Sequence, residues 1–296
     1  VRAIVLGAAA GGGFPQWNSN AEACRRARAG DPLAPARTQA SVAVSGDGAS
    51  WTLLNASPDL RQQIAETREL HPTTALRSTP IAAVVLTSGE VDSVAGLLNL
   101  RERQPFTLFA TARIHAVLDA NPIFNVLARD VVARRVVALE QDIALPGGLT
   151  LRLFSVTGKV ALYLEDNADD DDGDTVGACI TQHGRSLYYV PACAAMTPTL
   201  AERLRGADAV MFDGTLWRDD EMIQAGLGLK TGRRMGHMSV AGEGGTMQAF
   251  AGLGVARKIL LHINNSNPVL LADTPERAEV ERDGWQVAFD GMRVEV

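Results

Sequence analysis

The sequence predicts an α/β fold, one domain over residues 1–296, in which two similar layered halves follow one another. Three observations lead there. Short β-branched or aliphatic runs, each bounded by Gly, Asn, Asp or Pro, recur along the chain. Helical periodicity appears between them. No Pro- or Ser-rich linker separates the halves, although ~150 residues per domain would allow about two units.

The elements follow in order. Val1 to Gly7 reads as a first buried strand. Ser41 to Val44 and Trp51 to Leu54 flank Gly46-Asp47-Gly48 and read as a hairpin. Further strands are expected at Ile81 to Leu86, Phe106 to Ala110, Val136 to Leu139 and Leu149 to Val156. Then come Val176 to Thr181, Ser186 to Val190, Ala209 to Phe212, Lys258 to His262 and Trp285 to Phe289. Helices are expected at Pro58 to Leu70, Ser93 to Arg103, Ala112 to Val117, Pro198 to Leu204 and Ser239 to Gly252. Strands open each half as a meander, and helices follow.

Composition excludes several functions. Lys and Arg total 28 against 34 Asp and Glu, a net charge of -6. Nucleic-acid binding draws on clustered Lys and Arg, so no nucleic-acid partner is expected. No apolar run approaches the roughly 20 residues of a membrane span, so no membrane insertion is expected. Three widely spaced cysteines, Cys24, Cys179 and Cys193, suit a reducing cytoplasm rather than a disulfide scaffold.

Two segments tempt a stronger reading. Asn167 to Asp174 is rich in Asp, but placing Gly173 at position 6 of a calcium loop puts Ala168 at position 1 and Cys179 at position 12, where carboxylates are needed. It reads as a solvated loop. Gly7 to Gly13 follows the first strand without forming G-x-G-x-x-G, and Phe14-Pro15-Gln16-Trp17-Asn18 does not open a helix. A crowded turn lining a cleft fits it better than a phosphate site.

The informative stretch is Ser88-Gly89-Glu90-Val91-Asp92-Ser93-Val94-Ala95-Gly96-Leu97. A buried strand ends in a polar turn and a helix begins at once. Context and spacing resemble the metallo-β-lactamase superfamily motif H-x-H-x-D-H-x-x-G-L, where a strand-to-helix turn aims imidazoles and a carboxylate at metal. Ser88, Glu90 and Ser93 stand at the three His positions, and Asp92 keeps the superfamily residue. Downstream, Asp213 ends a strand, His237 sits in the loop that resembles the one placing an acid-base His, and His262 ends a late strand. The ligand His expected before Tyr163 falls on Gly158-Lys159, and the bridging Asp expected after Tyr189 falls on Pro191-Ala192. So many replacements argue against a dizinc hydrolase. Taken alone, Asp92 is a helix N-cap and His262 a hydrogen-bonded structural residue. Their joint occurrence at the right strand ends favours ligands, while Glu90, Asp213 and His237 admit both readings.

Longer blocks resemble one branch, the pyrroloquinoline quinone biosynthesis protein B family. They are Leu6 to Asn18, Leu54 to Arg61, Phe212 to Trp217, Asp219 to Met222, Thr231 to Arg233, Met235 to His237, His262 to Asn265 and Phe289 to Met292. The resemblance implies a metallo-β-lactamase-like four-layer αββα sandwich and a homodimer. It implies hydroxylation of the tyrosine ring of a small cross-linked Glu-Tyr precursor by non-haem iron(II) and oxygen. The family has also been described as a carrier of the cofactor or its precursor towards the periplasm. On this basis Asp92, His262 and Glu90 are the expected metal ligands, and Asp213 and His237 the catalytic residues. Gln16, Asn18, Arg61 and Asn265 are the expected substrate contacts. Relatives typically carry His where this chain has Ser93. They also often carry C-x-C-x-x-C where it has Ser19, Ala21 and Cys24. One thiolate does not hold tetrahedral zinc, so no structural zinc is expected there.

Overall fold

The structure is a computed structural model and describes residues 1–158 and 174–296. Its frame is two seven-stranded mixed sheets with the same internal plan. In the first, β1 (Arg2–Gly7), β2 (Ser41–Ser45) and β3 (Trp51–Leu54) run antiparallel. β4 (Ile81–Val85), β5 (Phe106–Ala110) and β6 (Val132–Val136) then add in parallel. In the second, β7 (Asp142–Leu145), β8 (Leu149–Ser155), β9 (Val176–Gln182) and β10 (Arg185–Val190) form the meander. The parallel additions there are β11 (Ala209–Asp213), β12 (Arg257–Leu261) and β13 (Trp285–Val287). β14 (Arg293–Glu295) returns to pair with β1 on the first sheet.

Each strand earns its place by what it buries. Val5, Leu53, Val84 and Leu108 of the first sheet share one core with Leu151, Ile180, Leu187 and Met211 of the second. α2 (Leu60–Glu66) and α4 (Ala112–Ala120) add Leu60, Ile114 and Leu118 to that core. On the other side of the second sheet, Phe154, Phe212 and Leu260 pack with Leu200 and Leu204 of α5 (Pro198–Leu204) and Val280 of α8 (Pro275–Arg282). Burying such side chains stabilises by about 1.5–3 kcal/mol each. The result is the αββα sandwich expected from the resemblance.

Several expectations shift. The strand placed at Val136 to Leu139 lies at Val132–Val136, because Phe106 to Ala110 pairs with that earlier stretch. The helix expected over Ser93 to Arg103 is α3 (Val91–Val94) followed by a 3₁₀ turn at Ala95–Leu100. Gly96 enforces the tight passage, since a Cβ there would collide with the carbonyl of Ser57. Only Thr246–Ala249 (α7) of the expected Ser239 to Gly252 helix forms, because Gly242 and Gly244 take positive φ values of 87° and 69°. Pro58 to Leu70 is α2 plus a 3₁₀ turn at Arg68–Leu70. α1 (Glu22–Arg28), α6 (Glu221–Gln224), α8, β7 and β14 carried too little apolar pattern to be read. α8, for example, buries only Val280 and is fixed by the Thr274 side chain, which accepts from the Arg277 N–H at 3.3 Å. The Asp169 to Asp172 run and Lys159 lie outside the described residues.

Candidate metal centre

The site forms where parallel strands of both sheets end. The turn after β4 delivers Ser88, and α3 delivers Asp92 and Ser93. β11 ends in Asp213, and His262 follows β12. His262 has a φ of 56°, a left-handed conformation uncommon in non-glycine residues, which turns the imidazole towards Asp92. His237 comes from the loop before α7, its ring stacked on that of His262 with centroids 5.3 Å apart.

Hydrogen-bond accounting assigns different roles to the two carboxylates. Asp213 is fully buried, and four donors surround it. Oδ1 accepts from the Thr215 N–H at 3.0 Å and the Thr215 hydroxyl at 2.6 Å. Oδ2 accepts from the Cys193 N–H at 2.9 Å and His237 Nδ1 at 2.7 Å. Those four bonds use the lone pairs a metal would need, although Asp213, His237 and His262 offer donor atoms within 4.8 Å of one another. Asp213 therefore orients His237 and leaves its Nε2 for the cavity.

Asp92 has the complementary arrangement. Its Oδ2 lies 2.8 Å from His262 Nε2. One carboxylate oxygen and one ring nitrogen meeting here are donor types that would suit a divalent metal. Without an ion, the short contact is a proton-bearing pair. Burial works against the charge on Asp92, but the hydrogen bond and charge of His262 outweigh it and hold the carboxyl below its ordinary range. Burial likewise opposes charging of His262, and Asp92 overcomes it and raises the imidazole.

Thr215 links the two imidazoles. Its Oγ1 lies 2.9 Å from His262 Nδ1 and 3.1 Å from His237 Nδ1. Its single proton goes to Asp213 Oδ1, the shortest and charge-assisted contact, so the hydroxyl accepts from the ring N–H of His262. Both rings then turn Nε2 away from Thr215. Thr215 stood inside the Phe212 to Trp217 block, but a hydroxyl hub has no spacing signature. Ser88 and Ser93, at two of the superfamily's His positions, bond to each other at 2.9 Å. Cys193 contributes its backbone, while burial and the nearby Asp213 push its thiol up to about 12, which removes it as a nucleophile at neutral pH.

These groups open into a cavity of about 980 Å³, near the top of the range for small-molecule sites. Asp92, His262, His237 and Glu90 line it, with Gln16, Gln39, Asn55, Ser88 and Ser93. Gly11 and Gly12 form part of the wall, as the crowded-turn reading of Gly7 to Gly13 expects. The proposed substrate contacts divide. Gln16 reaches the cavity, and Asn265 is buried behind it with its side-chain amide on Gln16 Oε1. Asn18 and Arg61 do not line it. Asn18 is exposed beside the solvent-facing Trp17, and Arg61 is exposed on α2, whose Leu60 and Gln63 face inward. Cys24 is buried, its thiol 3.6 Å from Asn265 Oδ1, and Ser19 Oγ accepts from the Ala21 N–H at 3.3 Å.

Known proteins share this architecture. The Beta-lactamase superfamily domain matches residues 50–263. The coenzyme PQQ synthesis protein B of Gluconacetobacter diazotrophicus is 63% identical over 301 residues, covering 98% of each chain. This chain belongs to the coenzyme PQQ synthesis protein B family. The crystal structure of zinc-bound PqqB from Methylobacterium extorquens superposes with a TM-score of 0.98 at 50% identity, covering all of both chains. A diphosphatase of the PhnP family, at 22% identity and a TM-score of 0.73, shares the fold. The family is thus built on a metallo-β-lactamase scaffold, and this chain carries Ser88 and Ser93 at two of the three His positions of the motif it resembles.

Proposed function

We propose that the chain acts in pyrroloquinoline quinone synthesis by hydroxylating the tyrosine ring of a small cross-linked Glu-Tyr precursor with iron(II) and oxygen. The observation that carries this reading is the Asp92–His262 pair at 2.8 Å, opening into a cavity of about 980 Å³ beside an Asp213-oriented His237. One carboxylate and one imidazole, with Glu90 on the same wall, form an N/O donor set suited to a redox metal with open positions. When bound, iron would supply the redox chemistry that oxygenation needs. The protein's part is to hold the ring and move protons. Asp213 fixes His237 through Nδ1, so Nε2 accepts the phenolic proton of the substrate. Gln16, held by Asn265, offers its amide to polar groups of the precursor. The expected homodimer belongs to the same reading and is checked by sedimentation.

The deciding experiment is oxygen uptake by iron-loaded protein with the cross-linked Glu-Tyr compound and a two-electron reductant. One oxygen atom should enter the ring and the other leave as water. His237→Asn should bind iron normally and lose about 10²- to 10⁴-fold in turnover. The Ser88–Ser93 hydroxyl pair, which removes two imidazole positions, favours a second reading as a carrier of the cofactor or its precursor. Tight binding of the compound without any oxygen uptake would replace the first reading with the second.

A further inference from the structure

Glu221 lies in the block Asp219 to Met222, and Asn264 and Asn265 close the block His262 to Asn265, all outside the Asp92–His262 pair. Hydrogen bonds join these residues into one line that ends at Gln16 on the cavity wall. Glu221 opens α6, and its Oε2 accepts from the Trp217 N–H at 2.6 Å and the Arg218 N–H at 3.4 Å. Its Oε1 lies 2.5 Å from Ser266 Oγ, which lies 2.6 Å from Asn264 Nδ2. Asn264 Oδ1 lies 3.2 Å from Asn265 Nδ2, and the same Nδ2 reaches Gln16 Oε1. Burial raises the Glu221 carboxyl, while the three donors pull the other way and favour its charged form.

The sense of this line has one solution. An ionised Glu221 only accepts, so the single proton of Ser266 goes to it. Ser266 then accepts from the Asn264 amide nitrogen, which leaves Asn264 Oδ1 to accept from Asn265. Asn265 uses both of its N–H bonds, one on Asn264 and one on Gln16 Oε1, while the Cys24 thiol donates to its Oδ1 at 3.6 Å. Gln16 Nε2, which bonds to none of the described residues, is then the polar atom that Gln16 offers to the cavity it lines. A Cβ on Gly12 would lie 3.0 Å from that nitrogen, so the glycine, at a φ of 90°, lets the amide sit close against the wall.

We propose that Gln16 donates through Nε2 to an acceptor oxygen, a carboxylate or carbonyl, of the amino-acid-like substrate, and that Glu221 is a positioning residue that fixes the sense of the Gln16 amide through Ser266, Asn264 and Asn265. An unrestrained amide presents oxygen or nitrogen with equal ease, so a site that reads one polarity has to lock it. This role for Gln16 rests on the substrate reading above and adds the polarity with which the cavity reads that substrate. One atom at Glu221 reverses the line. In Glu221→Gln the Trp217 and Arg218 N–H groups keep the side-chain oxygen, so the new amide nitrogen faces Ser266. Each amide beyond it then turns over, and Gln16 shows Oε1 to the cavity.

The test is a double-mutant cycle at about pH 8, read by calorimetric binding of the cross-linked Glu-Tyr compound to the full chain loaded with zinc. Gln16→Met should weaken binding about tenfold, the worth of one hydrogen bond. Glu221→Gln should weaken it at least as much, because an acceptor then faces an acceptor. Placed on top of Gln16→Met, Glu221→Gln should cost no more than about a further twofold, since the amide it acts through is gone. If Glu221→Gln does not fold, Asn265→Asp makes the same reversal one step from Gln16 and enters the same cycle. Unchanged affinity in Gln16→Met, or a loss from the second substitution that persists in full without the Gln16 amide, would overturn the proposal. The sense of the amide is also read without ligand, from the side-chain resonances of protein labelled with nitrogen-15 at glutamine. In the reversed variant the Gln16 amide protons, turned onto residue 265, should exchange with water about tenfold more slowly, and an unaltered rate would overturn the proposal. Failure of wild type to bind the compound would sink the substrate reading, while the exchange rate still decides the sense of the amide.

Discussion

Replacing Ser93 by His should strengthen metal binding, and the surroundings of Ser93 set the magnitude. Ser93 is 7% exposed, lines the cavity, and follows Asp92 directly on α3. Its hydroxyl bonds only to Ser88 at 2.9 Å among the bonds described, so the exchange costs one neutral hydrogen bond, about 1 kcal/mol. The backbone bonds of residue 93, to Glu90 at 2.9 Å and from Ala56 at 2.8 Å, do not involve the side chain. Crowding adds a further cost of about 1–3 kcal/mol, reduced by the open cavity on one side. Against this, imidazole is a far better ligand than a hydroxyl for iron or zinc. Loss of an outer partner of a ligand typically weakens binding 10- to 100-fold, so a gained ligand should strengthen it by at least that, about 1.4–2.7 kcal/mol. Anaerobic titration of iron(II), and of zinc, into wild type, Ser93→Ala, Ser93→His and His262→Asn measures the effect. Asn is the better replacement for His262, because it tolerates the φ of 56° where Ala would add strain. Equal affinities of folded wild type, Ser93→His and His262→Asn would show that the ion does not bind at Asp92 and His262.

Thr215→Val should cost about 1–3 kcal/mol in urea unfolding, by leaving buried donors unpaired, and about 10- to 100-fold in metal affinity; Thr215→Ser should restore both. Unchanged metal affinity in the Val variant would remove Thr215 from its orienting role. Zinc-loaded protein should carry no more than one tightly bound ion per chain, lost in His262→Asn and retained in Cys24→Ala; a second ion that disappears with Cys24 would contradict the N-terminal reading. Asp290 accepts from Ala8 and from Thr38, yet burial pushes its carboxyl up to about 6. The folded chain then holds a proton there that the unfolded chain releases at lower pH, so this contribution is present at low pH and is lost as pH rises through about 6. The unfolding free energy at pH 4.5 minus that at pH 7.5 should fall by about 2 kcal/mol in Asp290→Asn, and an unaltered difference would refute the titration.

What the sequence disclosed depended on periodicity and on strand ends. Strands that bury apolar faces announce themselves, Leu149–Ser155 through apolar–polar alternation and Ala209–Asp213 through the continuous apolar run Ala209 to Phe212. Asp142–Leu145 is half exposed and Arg293–Glu295 alternates exposed and buried over three residues, too short for a pattern. At the site, the placement of Asp92 and His262 at strand ends was legible because a polar turn follows a buried strand in both cases, and the structure brings the two side chains together. Arg61 was misjudged because membership in a block says nothing about direction. Leu60 and Gln63, three apart, mark the inward face of α2 and place Arg61 outside it. The role of Asp213 also lay beyond the sequence, because separating a ligand from an orienting carboxylate requires counting its four donors.

Asp92 and His262 stand 170 positions apart and follow strands of different sheets, β4 and β12. An ion gripped by both would act as a clasp between the halves of the fold. Its binding energy would then enter the unfolding equilibrium directly, about 2.7 kcal/mol when free ion exceeds the dissociation constant a hundredfold. Chelation should loosen the contact between the sheets first at the cavity rim, and melting temperature should track metal concentration even in a variant that cannot turn over.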